Sequence, residues 1–535
     1  MVKFYVLCGL VAAAGVLTLA AAVNENTTWW FAVAMVVIVL VVAIHDVVQK
    51  KHSILRNYPV VGHMRFLLES IRPELQQYFI ERNYDGRPYD RNVRSLIYQR
   101  SKGLHAEQAF GTEREITEPG YDYLLHSMAP VKMVETPPTV RIGGPQCSKP
   151  WDASMFNVSS MSFGALSGNA VRAMNKGAAL GGFLHETGEG GITAHHLEYG
   201  APLVWEIGSG YFGCRRPDGT FDPETFAQKA VHPNVKMVLI KLSQGAKPGL
   251  GGVLPGAKVT AAIAEARGVP EGVTVISPPA HSAFTTPIEL MRFVGELRRL
   301  SGGKPVGFKL CVGTRTDVLA LCKAMMRTGI QPDFITVDGA EGGTGAAPLE
   351  FSDHVGTPLK LGLMTMHNAL VGSCLRADIK IGAAGKVASG TDIVKNLALG
   401  ADFTNAARAM MMAVGCIQAQ VCHTNRCPVG VATQDKRRAH ALDVEDKGER
   451  VYNYQRGTVE SAMQVLAAMG LTGFDELGPA LVMRRVGHSS AESFEDLFEW
   501  LDEGELIRGT DKADWERDWQ RADPETFAVP KVRSA

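Results

Sequence analysis

The feature that most limits what this 535-residue chain can become is an alternation running through its middle. From about residue 135 to 435, short β-rich apolar runs are separated by helical stretches. The runs are 156–161, 235–241, 273–276, 306–312, 334–337, 379–382 and 402–405, with a further strand expected within 182–192. Between them, 257–267, 287–300, 315–328 and 391–399 read as helices. Strands that alternate with helices pair in parallel, since each crossover returns the chain to the same end of the sheet. Eight strands over this length predict an α/β fold, a (β/α)8 TIM barrel, whose usual size is ~250 residues. A doubly wound open sheet is the alternative.

In a barrel the chemistry sits on loops that follow the strand C-termini. Those are the loops in which glycine and polar residues gather here. After the first strand, Ser162, Gly164 and Ala165 are small enough to let a flat ring lie against backbone. Glu189 stands between Gly188 and Gly190, a carboxylate on bare backbone that can position a substrate or move a proton. Gln244 and Lys247 lie on the next polar loop, and Lys247 suits an anionic substrate. Lys309 ends a strand, where an ammonium can stabilise negative charge on a reduced ring. Gly343 and Gly345 follow another strand. Gly385, with Ala407 and Arg408, follows the last two, the usual phosphate site of a barrel.

Next comes Cys416-Ile-Gln-Ala-Gln-Val-Cys422-His-Thr-Asn-Arg-Cys427-Pro428, a C-x5-C-x4-C spacing. Three thiolates can hold an iron–sulfur cluster or, with His423, a tetrahedral zinc; three plain structural thiols are the remaining reading. Three cysteines without a fourth fit a three-iron cluster. The other six cysteines are scattered, which fits a reducing compartment. Lys+Arg and Asp+Glu are equal at 55 each, so no basic field for nucleic acid exists.

Ahead of the barrel, 4–23 and 29–44 are apolar and uncharged, each with its flanks near the ~20 residues that cross a bilayer. A polar turn, Asn24-Glu-Asn-Thr-Thr28, separates them. Lys3 precedes the pair and Lys50, Lys51 and Arg56 follow, so both ends face the cytoplasm by the positive-inside rule. Trp29 and Trp30 suit an interfacial belt. A cleaved signal peptide is the rival. The expected organisation is a transmembrane hairpin over 1–50 and a helical extension over 51–134 that packs on the main domain. The barrel with its cysteine loop follows over 135–435, then a C-terminal helical extension over 436–535, whose tryptophans are packing residues. The expected location is the inner (cytoplasmic) membrane, with the catalytic part in the cytoplasm.

The motifs Ser-Met-Ser-Phe-Gly-Ala-Leu-Ser167, Thr-Gly-Glu-Gly-Gly191, Gln-Gly-Ala-Lys-Pro-Gly249, Ile-Ser-Pro-Pro279, Gly-Gly-Thr-Gly-Ala346 and the cysteine run occur in the order found in glutamate synthases. Over about 150–435 the chain resembles the synthase region of that family. The resemblance implies a barrel that binds FMN, a [3Fe–4S] cluster on Cys416, Cys422 and Cys427, and conversion of 2-oxoglutarate and ammonia, through 2-iminoglutarate, to glutamate. It also implies that Glu189, Lys247 and Arg267 serve the substrate and that Lys309 faces the flavin. The resemblance has departures. Leu250 and Val253 stand where the family usually has polar residues, Val253 in place of a glutamine expected to touch the oxo acid. The family's glutaminase and glycine-repeat domains are not recognised, so ammonia is expected free or from a separate glutaminase subunit. No nicotinamide-type G-x-G-x-x-G turn occurs in the linker or tail, so an electron-donor protein or a membrane quinol is the expected reductant. A non-redox binding or assembly subunit, and an FMN oxidoreductase with another substrate, are the alternatives.

Overall fold

Runs of apolar residues buried on both faces form eight parallel strands: β1 (Phe156–Val158), β2 (His185–Glu186), β3 (Leu203–Ile207), β4 (Val235–Lys241), β5 (Val306–Leu310), β6 (Phe334–Asp338), β7 (Lys380–Ala384) and β8 (Phe403–Ala406). In this computed structural model, which describes residues 2–24 and 27–527, each strand pairs with its chain neighbour and β8 pairs with β1. The sheet is therefore a closed barrel, as the alternation predicts. One strand differs from expectation. Val275–Ile276 pairs antiparallel with Val253–Leu254 outside the barrel, and Leu203–Ile207 takes the place between β2 and β4. Burial explains the exchange: Val273 and Ile276 are 54% and 69% exposed, whereas every residue of β3 is buried, Glu206 included.

The bottom of the barrel is plugged. A hairpin of Thr139–Ile142 and Trp151–Ser154 sends Ile142 and Ala153 against Leu184, Phe334 and Phe403, which sit at or just before the strand starts. The opposite end, where Glu186, Glu206, Lys309 and Asp338 emerge, is left to polar residues.

The chain divides into two compact units, Met1–Arg91 and Asn92–Ala535. In the first, α1 (Val2–Val23) and α2 (Thr28–Val48) pack on each other and are both long and apolar enough to cross a membrane. Glu25 and Asn26 of the expected turn lie outside the described residues.

In the second unit, α3 (Gly168–Gly181) starts at Ser167, whose hydroxyl accepts from the Ala170 amide at 3.2 Å. Helix α4 (Ala261–Arg267) is preceded by a 3-10 turn, Gly256–Lys258. Helix α5 (Gly390–Ala398) is closed by a Ser389/Asp392 capping box. Helix α6 (Arg408–Val414) leads into the cysteine loop, and α7 (Val444–Ala468) packs across α3. Trp515 and Trp519 of the tail pack beneath Arg315 and Lys323, at 4.5 and 4.7 Å from ring centre to cation.

The pairing of β5 with β6 leaves no room at Gly307, where an added Cβ would stand 2.2 Å from the Phe334 carbonyl oxygen. Gly307→Ala is expected to cost about 1–3 kcal/mol. Gly313→Ala, where nothing lies within 4 Å, should stay within about 0.5 kcal/mol of the parent. Thermal unfolding of the two variants checks both.

Candidate active site at the barrel mouth

Deep in the mouth, three polar side chains from three strands converge on one hydroxyl, and a fourth supports one of them. Lys309 from β5 is 4% exposed, donates to Ser160 Oγ at 2.7 Å, and is ion-paired to Glu206 from β3. Ser160 also meets the Glu186 carboxylate at 2.6 Å and that of Glu206. Asn405 from β8 donates to the other Glu186 oxygen at 2.8 Å. A serine has one proton to give and two lone pairs to receive. The cluster is satisfied when Ser160 donates to Glu206 and accepts from Lys309 and from a protonated Glu186. The titrations agree in direction. Burial raises Glu186 despite Lys309, and Glu206 leads the carboxylates that raise Lys309 against its own desolvation. Asp338, accepting from the Gly245 amide at 2.7 Å, is likewise raised by burial.

Above this cluster the charge balance reverses. Glu189 pairs with Lys241 at 3.3 Å, and Arg267 and Lys247 also act on it. Burial alone would raise the Glu189 carboxyl, but the three cations together hold it below its ordinary range. Arg267, from the end of α4, donates to Ser162 Oγ at 3.2 Å and stands 4.9 Å over the Phe212 ring, and its Nε has no partner among the described residues. Lys247 is 4% exposed, and among the described residues its ammonium makes no hydrogen bond. Desolvation and the neighbouring Lys241 lower it. His281 closes this side: its Nε2 donates to the Lys241 carbonyl at 2.8 Å, so Nδ1 faces the Tyr211 hydroxyl, and burial pushes the imidazole down to about 4.

The glycine loops lie beside this. Gln244 reaches Thr344 at 3.5 Å, joining the loops after β4 and β6. Arg408 donates to the Glu341 carbonyl at 2.6 Å and lies where a side chain on Gly343 would go, its Nε 2.5 Å from such a Cβ. Gly385 is at φ +141°, and a Cβ added to it would stand 3.4 Å from the Gly339 nitrogen. Gly345 has open space around it, and Ala407 begins α6 without a side-chain cap. The sequence thus brings Gly343, Gly385, Ala407 and Arg408 onto loops at one side of the mouth. Leu250 and Val253 are 38% and 51% exposed, and that loop touches Glu189 through the backbone of Gly252 instead.

Cys416, Cys422 and Cys427 line one narrow recess with Met411, Val431 and Ala432. Among the described residues no three His, Cys, Asp or Glu side chains are grouped closely enough to hold a single metal ion. His423 is exposed. Burial pushes the Cys416 thiol up to about 12 and raises Cys422. Sequence reasoning missed Lys258. Its ammonium is 3% exposed and donates to the carbonyls of Ala165 at 2.7 Å and of Cys422 and Ala432 at 3.4 Å. Gln434, just past the cysteines, donates to Gly164 and Leu166 at 3.1 and 2.8 Å. The cysteine loop is thereby tied to the loop after β1. Glu186, Glu206 and Lys241 were also missed; charged residues inside or ending apolar strands were the available signal.

Lys309→Met leaves Glu206 buried without its cation and should cost about 3–5 kcal/mol at neutral pH. Urea unfolding of parent and variant at pH 7 measures this, and Glu206→Leu in the same chain should restore most of the loss.

The family model described as "Conserved region in glutamate synthase" matches residues 144–472. The chain is 39% identical over 471 residues to the Bacillus subtilis "Glutamate synthase large subunit-like protein YerD", covering 80% of this chain and 89% of that one. It is 36% identical over 332 residues to the "Archaeal glutamate synthase [NADPH]" of Archaeoglobus fulgidus, covering 62% of this chain and 61% of that one. With the "Ferredoxin-dependent glutamate synthase" of Antithamnion sp. it shares 37% identity over 246 residues, 16% of that protein. The chain thus matches most of the Bacillus protein's length, while it spans under two thirds of the archaeal one. The family match covers both the barrel and the cysteine loop, and on that extent this protein belongs to the glutamate synthase family.

Proposed function

We propose that the chain is a membrane-anchored oxidoreductase acting on CH–NH2 donors, which in the synthetic direction aminates and reduces 2-oxoglutarate, or a related oxo acid, to glutamate. The observation that carries this is the cation cluster above Glu189. Lys241, Lys247 and Arg267 surround one carboxylate, and the Lys247 side chain is only 4% exposed, with no hydrogen bond to its ammonium among the described residues. Desolvating such a charge is costly unless an anion meets it. The two positive charges left over match the two carboxylates of an oxo diacid. Glu189, held ionised by these cations, is placed to accept or return a proton as ammonia adds to the oxo carbon.

Two groups fit the residues present. Gly343 and Gly385 leave backbone bare beside the Arg408 guanidinium, a cradle that any Cβ would fill, and Lys309 stands at a strand tip; these residues would hold FMN. The three cysteines line one largely apolar recess without the close grouping a single zinc requires, since zinc–sulfur bonds are about 2.3 Å, so Cys416, Cys422 and Cys427 would hold a [3Fe–4S] cluster, whose inorganic atoms space the thiolates further apart. When bound, the flavin supplies the electron pair that reduces the imine carbon and the cluster feeds electrons singly. The protein's part is to neutralise the diacid with Lys247 and Arg267, fix Ser162 against Arg267, keep a positive Lys309 in the mouth, and hold the cysteine loop through Lys258.

Helices α1 and α2 anchor the enzyme in the cytoplasmic membrane with the barrel on the cytoplasmic side. The organisation proposed is an anchor over 1–50, a helical extension over 51–134, the catalytic barrel over 135–435 and a helical extension over 436–535. The relatives' names carry NADPH and ferredoxin as donors. A donor protein or a membrane quinol suits the anchor here, with ammonia free or from a separate glutaminase subunit.

Anaerobically purified full chain should show flavin absorbance and bound iron and sulfide, without zinc. Reduced with dithionite freed of excess, it should be reoxidised by 2-oxoglutarate plus ammonium, yielding 15N-glutamate from 15N-ammonium. Reoxidation by no tested oxo acid would overturn the assignment. Lys247→Met should raise the Kd for the oxo acid roughly ten- to a hundred-fold. Lys258→Met should lower the iron content per chain while leaving the flavin bound.

A further inference from the structure

One stretch is used neither by the barrel nor by the two spans. Helix His63–Leu75 continues into a π-helical turn, Gln76–Ile80, and no residue of either is buried. Met64, Leu67, Leu68, Ile71, Leu75 and Phe79 recur at the three- and four-residue intervals that align on one helical face. All six are exposed, from 39% at Leu75 to 82% at Phe79. A soluble helix buries such a stripe.

The structure also fixes where this helix begins. Asp46, in the last turn of α2, is fully buried and accepts from the Val60 amide at 2.8 Å and from His63 Nε2 at 2.9 Å. The helix start is thus hooked to the end of the second apolar span. Short helix Ser53–Asn57 fills the turn between them and packs on both spans. Basic residues cluster along this path: Lys50, Lys51, Arg56, Arg65 and Arg72. By helical spacing, Arg65 and Arg72 lie along one border of the apolar stripe, Glu74 along the other, and Glu69 lies further round beyond the arginines.

We infer that residues 63–80 lie in the interface of the same bilayer, with the apolar stripe sunk below the headgroups and the arginines among anionic phosphates. An apolar stripe bordered by arginines, with glutamines and a serine further round, has the amphipathic character of an interfacial helix. Basic groups beside a span are drawn to an anionic leaflet. The Asp46–His63 hook keeps the helix at the depth where α2 leaves the lipid. This rests on the reading of α1 and α2 as membrane spans.

The test places the photo-crosslinker benzoylphenylalanine at Leu68, Ile71, Glu69 or Ile38 of the full chain, in vesicles of phosphatidylcholine and phosphatidylglycerol. Mass spectrometry of the irradiated peptides then reads what was captured. Expected are phospholipid adducts at Ile38, Leu68 and Ile71, with roughly five-fold more at 68 and 71 than at 69. Lipid capture at Ile38 but not at 68 or 71 overturns the interfacial helix and leaves the spans standing. So does capture at 68 or 71 of a peptide from the barrel, from a second copy of this chain or from another protein. No lipid capture at Ile38 overturns the spans and the inference with them.

Discussion

The ammonium of Lys309, held between Glu206 and the Ser160 hydroxyl, is the contact on which the mouth of this barrel depends. Glu186, Glu206 and Asp338 all act on it. Without it, the field of three carboxylates in a space closed to water would have to be relieved by proton uptake or by opening. With it, one proton on Glu186 completes a closed set of hydrogen bonds around Ser160. That set fixes the start of the loop 159–167, and the loop is what joins the rest of the site. Two residues on, Ser162 receives Arg267; three further, the Ala165 carbonyl receives Lys258, which holds the cysteine loop. Carboxylate cluster, cation cluster and cysteine loop are thus positioned from one nine-residue stretch.

The mouth separates two opposite charge problems. Acids outnumber bases at its floor, where a fixed cation faces any ring laid over β5. Bases outnumber acids around Glu189, where a diacid would restore balance. Separate placement matters, because an anion sharing the floor would face Glu186 and Glu206, and a cation sharing the upper cluster would face Lys247. Leu250 and Val253 enter little into this balance. Both lie at the surface, and the loop that carries them meets Glu189 through glycine backbone. An exchange of polar for apolar side chains there changes the rim more than the charge set.

What could be read from sequence followed locality. Helices 287–300 and 315–328 appear where periodicity put them, and seven of the barrel strands lie within or beside the stretches expected. The missed strand, Leu203–Ile207, hides a glutamate among apolar residues, and alternation alone treats that as a break. The stretch wrongly taken for it, 273–276, is as β-prone but lies on the surface. The structure brings Glu189, Lys247 and Arg267 together and lines one recess with the three cysteines; Glu189, Lys247 and the cysteines stood out because short motifs carry them, Arg267 only through the family resemblance. Glu186, Glu206 and Lys258 were not, because their meaning lies in contacts that no spacing encodes: Lys309 with Ser160 across 149 residues, Lys258 with Ala165 across 93.

Those long-range contacts also decide what kind of coupling the site can support. Arg267 touches the loop after β1 on one side and Lys258 touches it on another, so a ligand at Glu189 and a group at the cysteines would share a mechanical neighbour. Sharing a neighbour is not allostery, which needs an element with two discrete arrangements that both sites bias. In that loop Gly164, Ala165 and Leu166 are each held by a buried or half-buried donor, and Ser167 caps α3. Its contribution is rigidity. Electron transfer and proton transfer both reward fixed distances, and a loop pinned from three sides keeps the cysteine recess and the cation cluster in constant register.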